Sequence, residues 1–262
     1  MAGRAIWKGV IRFGMIAVPV KFYSAIEDRK VHFRLLHQKD QTPVSQKMVN
    51  PITGETVPYE EIRRGYETEE GDIILLEDEE LQSLEPEASR DIEITRFIDP
   101  DRINHQWYER PYHIGPDTNP ESYFALAKAL EIKQLEGLAR WRMRKKSFIG
   151  ALRVENGYLQ VITLRYAGEI VSASELPRPA GRPMEKQEIR MAEQLVRALG
   201  GKFDPALFKD EYRSRVLELV EAKARGGSVK FEKAEKKVRK VVSLRDLLKK
   251  SVQLAEEERK IA

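Results

Sequence analysis

The chain has 262 residues, 41% hydrophobic and 34% charged, with a formal net charge of +4 and no cysteine. That length supports one large domain or two small ones around a sizeable core, and the missing cysteines exclude disulfides, zinc–thiolate sites, iron–sulfur clusters and cysteine nucleophiles. No apolar run approaches the roughly 20 residues of a membrane-spanning helix and no apolar signal region opens the chain, so a cytoplasmic protein without a membrane partner is expected.

The first half reads as strands. Ala5 to Phe13 and Ile16 to Ala25 are rich in Ile, Val, Phe and Tyr, with Gly14 as the turn or bulge between them. Val31 to His37 is a third short strand candidate. Pro43, Pro51, Gly54 and Pro58 make residues 39–58 an irregular excursion. Ile73 to Leu76 and Ile92 to Ile98 read as strands on either side of a short acidic helix near Glu77 to Leu84, stopped by Pro86. Pro111 to Ile114 reads as extended. Asn119-Pro120-Glu121 opens a helix to about Ile132: an N-cap, a proline at the first helical position and an acid beside the positive end of the dipole. Phe124, Ala127 and Leu130 form its expected apolar face. Leu138 to Arg144 is a further strand. Phe148 to Val154 and Tyr158 to Tyr166 flank Asn156-Gly157, a hairpin signal because a type I′ turn needs positive φ at both central residues.

After Pro177, Pro179, Gly181 and Pro183 the pattern turns helical. Ile189, Ala192, Leu195, Val196 and Leu199 keep helical spacing up to Gly200-Gly201, and a second helix is expected from about Asp204-Pro205 to Arg225, before Gly226-Gly227. Residues 223–240 hold eight Lys/Arg and two Glu and read as a basic tether. A last helix starts at Ser243, with Asp246 in capping-box spacing and a stripe of Leu244, Leu247, Leu248, Ser251 and Leu254. Such a helix either docks on its own domain or is offered to a groove on a partner.

The mild net charge hides an asymmetry. Residues 51–100 carry 4 Lys/Arg against 16 Asp/Glu, a balance of −12, so the rest sums to +16. Such a chain can present a basic surface to a polyanion and turn its acidic block away, which makes nucleic acid the leading partner class. The sharpest local pattern is Leu138 to Lys146. On a strand, Ala139, Trp141 and Met143 face the core, while Arg140, Arg142 and Arg144 line the other face at roughly 6–7 Å intervals. No acid is interleaved, and a guanidinium row can follow a phosphate backbone without reading bases; the bland alternative is a solvated strand face. Arg4, Lys8 and Arg12 form a weaker row on the first strand, and Arg34, Lys39 and Lys47 lie around the irregular excursion.

No phosphate-binding Gly-rich loop, His-Glu-x-x-His, Gly-x-Ser-x-Gly or dinucleotide fingerprint is present. Asp117 with Glu131-Ile132-Lys133 has a nuclease-like composition, but Asp/Glu-x-Lys recurs by chance in so charged a chain. The His32/His37 pair reads as packing or hydrogen bonding. Besides a sequence-independent DNA binder, a sequence-specific DNA-binding regulator and a metal-dependent nuclease stay open, though no helix-turn-helix spacing is evident.

The opening Arg4-Ala5-Ile6-Trp7-Lys8-Gly9 and the stretch Val18-Pro19-Val20-Lys21-Phe22-Tyr23-Ser24-Ala25 resemble the bacterial Ku proteins of non-homologous end joining. The likeness continues through Gly54 to Pro58, Arg64-Gly65-Tyr66-Glu67, Asp91 to Ile94, Tyr112 to Leu130, Lys145 to Leu152, Met191 to Leu195 and Phe203 to Arg213, in family order over nearly the whole chain. The resemblance implies a mixed β and α protein: a Ku-type β-barrel core with a DNA-encircling bridge, followed by a helical C-terminal arm. It implies a core over 1–184 with the bridge at roughly 37–70, the arm over 185–225, the tether over 226–242 and a partner-binding helix over 243–262. It further implies a homodimeric ring that threads double-stranded DNA ends and recruits a multifunctional ATP-dependent DNA ligase, with no catalysis, no cofactor and a nucleoid location. Arg140, Arg142, Arg144, Lys145 and Lys146 would line the inner face, Lys39, Lys47, Arg63 and Arg64 would belong to the bridge, and Leu244, Leu247, Leu248 and Leu254 would bind the ligase. Where some members carry a Cys-x-x-Cys before the glycine matching Gly54, this chain has Asn50 and Thr53, which rules out zinc there. Where some carry a long lysine-rich tail, the 223–240 tether is expected to take part of that role.

Overall fold

The structure is a computed structural model and describes residues 3–85, 87, 89–177, 181, 183–228, 248, 250 and 251. Alternation of apolar and polar residues along seven strands sends every second side chain into one core. In chain order the strands are β1 (Trp7–Phe13), β2 (Ile16–Ser24), β3 (Arg64–Glu67), β4 (Ile73–Leu76), β5 (Asp91–Ile98), β6 (Tyr108–Pro116), β7 (Glu136–Met143), β8 (Lys146–Glu155) and β9 (Tyr158–Leu164). All except β3 and β4 close into a barrel of order β1-β2-β6-β9-β8-β7-β5. Six of its neighbouring pairs are antiparallel; the parallel pairing of β5 with β1 completes the ring. Closure leaves no open sheet edge. Ile11, Val18, Phe22, Ile92, Trp141 and Leu152 are among the side chains that fill it. Trp141 stacks on Phe148 with ring centroids 5.5 Å apart.

Helix α1 (Asp78–Ser83) starts with a capping box between Glu77 and Glu80. Helix α2 (Pro120–Lys133) is capped as its sequence predicts, the Asn119 side chain accepting from the Ser122 amide. Its buried face is Tyr123, Leu126, Ala127 and Leu130, whereas Phe124, expected inside, is exposed. The helix packs on β2, β8 and β9. Tyr123 is fully buried; its hydroxyl donates to the Ile114 carbonyl (2.5 Å) and accepts from the Leu159 amide (2.8 Å). Burial pushes this phenol up to about 12.

One sequence expectation fails between β2 and β5. Val31 to His37 forms no strand; its only ladder contact is an isolated bridge, Leu36 to Pro43. The apolar residues that suggested it, Phe33 and Leu35, are exposed rather than packed in a core. β4 was legible, but its partner is β3 in a separate two-stranded hairpin, not the barrel. At the position where zinc was excluded, the loop is closed by hydrogen bonds instead. The Asn50 side chain accepts from the Ile52 amide (2.9 Å), and the Asn50 carbonyl from the Gly54 amide (2.9 Å).

The chain divides into two compact units. One comprises Met1–Arg29 and Phe33–Glu175; the other comprises Lys30–His32 and Leu176–Ala262. The second contains α3 (Lys186–Ala198) and α4 (Glu211–Ala224). Asp204-Pro205 opens only a three-residue 3₁₀ turn, Pro205–Leu207, and the expected second helix begins six residues later than predicted, at the Asp210 N-cap. Of the expected C-terminal helix, Leu248, Lys250 and Ser251 are helical. Leu244, Leu247 and Leu254 and most of the tether lie outside the described residues.

Candidate nucleic-acid interface

The outward face of β7 carries Arg140 and Arg142, both exposed, alternating with buried Ala139, Trp141 and Met143, as strand periodicity requires. Arg144 departs from the predicted row. It and Lys145 are the two central residues of the β7–β8 turn, with φ of 51° and 66°, between the closing pair Met143 and Lys146. Both residues thus take the left-handed conformation that type I′ turns need and that Asn-Gly supplies at the β8–β9 turn (Asn156 φ 51°, Gly157 φ 79°). Three consecutive cations, Arg144, Lys145 and Lys146, stand exposed at this end of the hairpin.

A groove of about 770 Å³ runs over this part of the barrel. Arg12 from β1, Asp91 and Glu93 from β5, Arg140 and Arg142 from β7, and Tyr166 line it. Arg12, from the weaker row on β1, shares this groove with Arg140 and Arg142. Lys8 of that row goes elsewhere. It and Lys21 share Asp117, at 3.2 and 2.7 Å. The Lys21 hydrogen bond, with Lys8 adding to it, holds the Asp117 carboxyl below its usual range.

The expectation that the acidic block faces away from the cations is overturned. Asp91 binds Arg12 (2.7 Å), Glu93 binds Arg140 (3.0 Å) and Glu85 binds Lys145 (2.9 Å). Within one strand no acid relieves the arginines, but the neighbouring strand in the barrel supplies them, which a linear reading cannot see. Glu77 and Asp78 likewise lie 3.7 and 3.8 Å from Arg63 and Arg64, in the β3–β4 region. Lys39 and Lys47 are exposed in the irregular excursion. The structure brings together Arg12, Arg140 and Arg142 around one groove; Lys39 and Lys47, Arg63 and Arg64 belong to other segments.

The nuclease-like residues do not converge. Asp117 precedes α2 and Glu131 lies in its last turn, about 16 Å further along the axis, where it pairs with Lys128 at 2.8 Å. Among the described residues no group of three or more metal-ligating side chains is assembled.

The family profile for the Ku70/Ku80 β-barrel domain matches residues 12–192, more than two thirds of the chain. This chain belongs to the Ku family. The chain is similar to curated relatives over most of their length. The non-homologous end joining protein Ku of Coxiella burnetii is 35% identical, covering 100% of this chain and 98% of its own. Non-homologous end joining protein Ku 2 of Geotalea uraniireducens is also 35% identical, over 87% and 89%. The Mycolicibacterium smegmatis protein is 34% identical, over 88% and 76%. The mixed β and α fold with a Ku β-barrel is the one expected from the sequence.

Proposed function

We propose that this Ku chain binds double-stranded DNA ends without sequence preference in non-homologous end joining, as a homodimer whose ring threads the duplex. The observation that carries the reading is the barrel face: Arg140 and Arg142 project from alternate positions of one strand, Arg12 joins them, and Arg144, Lys145 and Lys146 extend the charge at the hairpin end. Alternate strand residues stand roughly 6.7 Å apart. Guanidiniums so spaced suit successive phosphates, contacts that position a duplex and carry no sequence information. The names of the relatives support end joining as the process. Exposed apolar residues between β2 and β4 support a second copy as partner. The leucine stripe at Leu244, Leu247, Leu248 and Leu254 supports recruitment of an ATP-dependent DNA ligase. The protein acts by binding, without catalysis of its own.

A closed ring loads only at an end. The test is binding to linear duplex against a covalently closed circle of the same sequence at matched salt. Linear DNA is expected to bind much more tightly, and blocking both ends after loading is expected to trap the protein at high salt. Arg142→Ala with Arg140→Ala should weaken linear binding equally for all sequences and lower the salt slope by about 0.9 for each lost phosphate contact. Equal affinity for circles and linear DNA sinks threading; an unchanged slope in the double variant sinks the barrel face.

A further inference from the structure

Four cations of the barrel face, Arg12, Arg140, Arg142 and Lys145, are engaged by groups from one short stretch of the acidic block. Asp91 Oδ1 lies 2.7 Å from Arg12 Nε, Glu93 Oε2 lies 3.0 Å from Arg140 Nη2, and Glu85 Oε1 lies 2.9 Å from Lys145 Nζ. Arg142 Nη1 donates to the Glu87 carbonyl at 3.1 Å. The sheet register explains the arrangement: Glu93 sits opposite Arg12 on one side and opposite Arg140 on the other. A strand bearing anions therefore runs between two strands bearing guanidiniums. Carboxylates offer guanidiniums the same acceptor geometry as phosphates. Every side chain in these three pairs is about one-third exposed or more. Exposed pairs contribute little to stability, so nothing in the core requires Asp91 or Glu93 to be charged. Their main consequence falls on an approaching polyanion.

We infer that Glu85, Asp91 and Glu93 are specificity-determining residues of the DNA face: a built-in row of anions that occupies its cations in the free protein and stays beside the phosphates in the complex. This rests on the reading of the barrel face given above. Competition and repulsion together weaken each single phosphate contact. A duplex is then held only when many contacts act in parallel, as encirclement provides, while a chance one-sided encounter is released. No arginine locks onto one phosphate, because a carboxylate beside it takes the guanidinium back at each step. The barrier to movement along the duplex is thereby kept low.

The test compares the full-length chain with Glu93→Gln, with Asp91→Asn plus Glu93→Gln, and with Glu85→Gln, which lies outside the sheet and does not touch barrel packing. The readouts are affinity for a linear duplex across a salt series and one-dimensional diffusion on stretched DNA. Arg140→Ala with Arg142→Ala runs in parallel. The double acid variant is expected to bind about threefold to tenfold more tightly at low salt, with the gain shrinking as salt screens it, and to diffuse more slowly. Weaker binding would show that Glu93 positions Arg140 for DNA and would overturn the inference. Unchanged binding by all three acid variants, with the arginine variant still impaired, overturns it too. If the arginine variant is itself unimpaired, the reading of the barrel face has failed first.

Discussion

Gly150 has no room for a side chain. A Cβ there would lie 2.7 Å from the Trp141 ring and 2.8 Å from the Ile162 carbonyl oxygen. The barrel wall is thus fitted around Trp141, which is buried beneath the outward arginines of its own strand. Gly150→Ala is expected to destabilise the fold by about 2 kcal/mol through overpacking, measured by urea unfolding, and to shift tryptophan fluorescence as the stack on Phe148 is displaced. A loss below about 0.5 kcal/mol would show that the indole yields freely. At this scale the sequence was readable where residue types match their backbone. Asn156-Gly157 announced its type I′ turn because both residues tolerate positive φ. Arg144-Lys145 makes the same kind of turn with residues that disfavour it, so the strand was predicted to end one residue too late, at Arg144. The exposed cations at the tip coincide with backbone that has an energetic cost, a pairing typical of functional positions.

Among the elements, β1, β2 and the connection from β6 to α2 are tied by Asp117, which receives both Lys8 and Lys21. The folded Asp117 carboxyl titrates below its unfolded value near 3.9, so its stabilising contribution is complete above about pH 5 and lost as pH falls through the folded value. The same hydrogen bond raises Lys21, whose contribution is present below its unfolded value near 10.4 and lost as pH rises through the raised one. Asp117→Asn is therefore expected to flatten stability at both extremes. Urea midpoints at pH 6 and pH 3 should differ less in the variant than in the parent; an identical difference would show that the cluster is decoupled from folding. Elements whose apolar residues face a core in the same chain were legible, including β2, β5, α2 and the β8–β9 hairpin. Val31 to His37 misled because Phe33, Leu35 and Leu36 satisfy strand composition without reaching that core. The face of α2 was misjudged by one position because Tyr123, with a polar tip, was passed over for Phe124, yet its hydroxyl finds two backbone partners inside.

For the molecule as a whole, the apolar residues that reach no core are the informative ones. Between β2 and β4, Phe33 and Leu35 are 64% and 65% exposed, Met48 68% and Ile52 92%. Scattered exposed apolar side chains need no explanation, but a run of them through one irregular segment marks an interaction surface. Sequence patterning located the segment and the family likeness supplied the expectation of a bridge there, but composition alone could not distinguish a buried from a partnered apolar run. A second copy of the chain is the partner that the proposed ring requires, and symmetric closed dimers are the commonest assembly. Phe33→Asp with Leu35→Asp should leave each 30.3 kDa chain folded, since neither side chain supports its core. Light scattering is expected to move from twice that mass to the single-chain mass, because interface anchors often carry about 2 kcal/mol or more each. Retention on end-blocked linear DNA at high salt should disappear with it, leaving only salt-sensitive binding by the isolated barrel face. A variant that stays dimeric while circular dichroism shows a native fold would place the dimer contact elsewhere, and one that turns monomeric yet still resists high salt on blocked DNA would separate retention from ring closure.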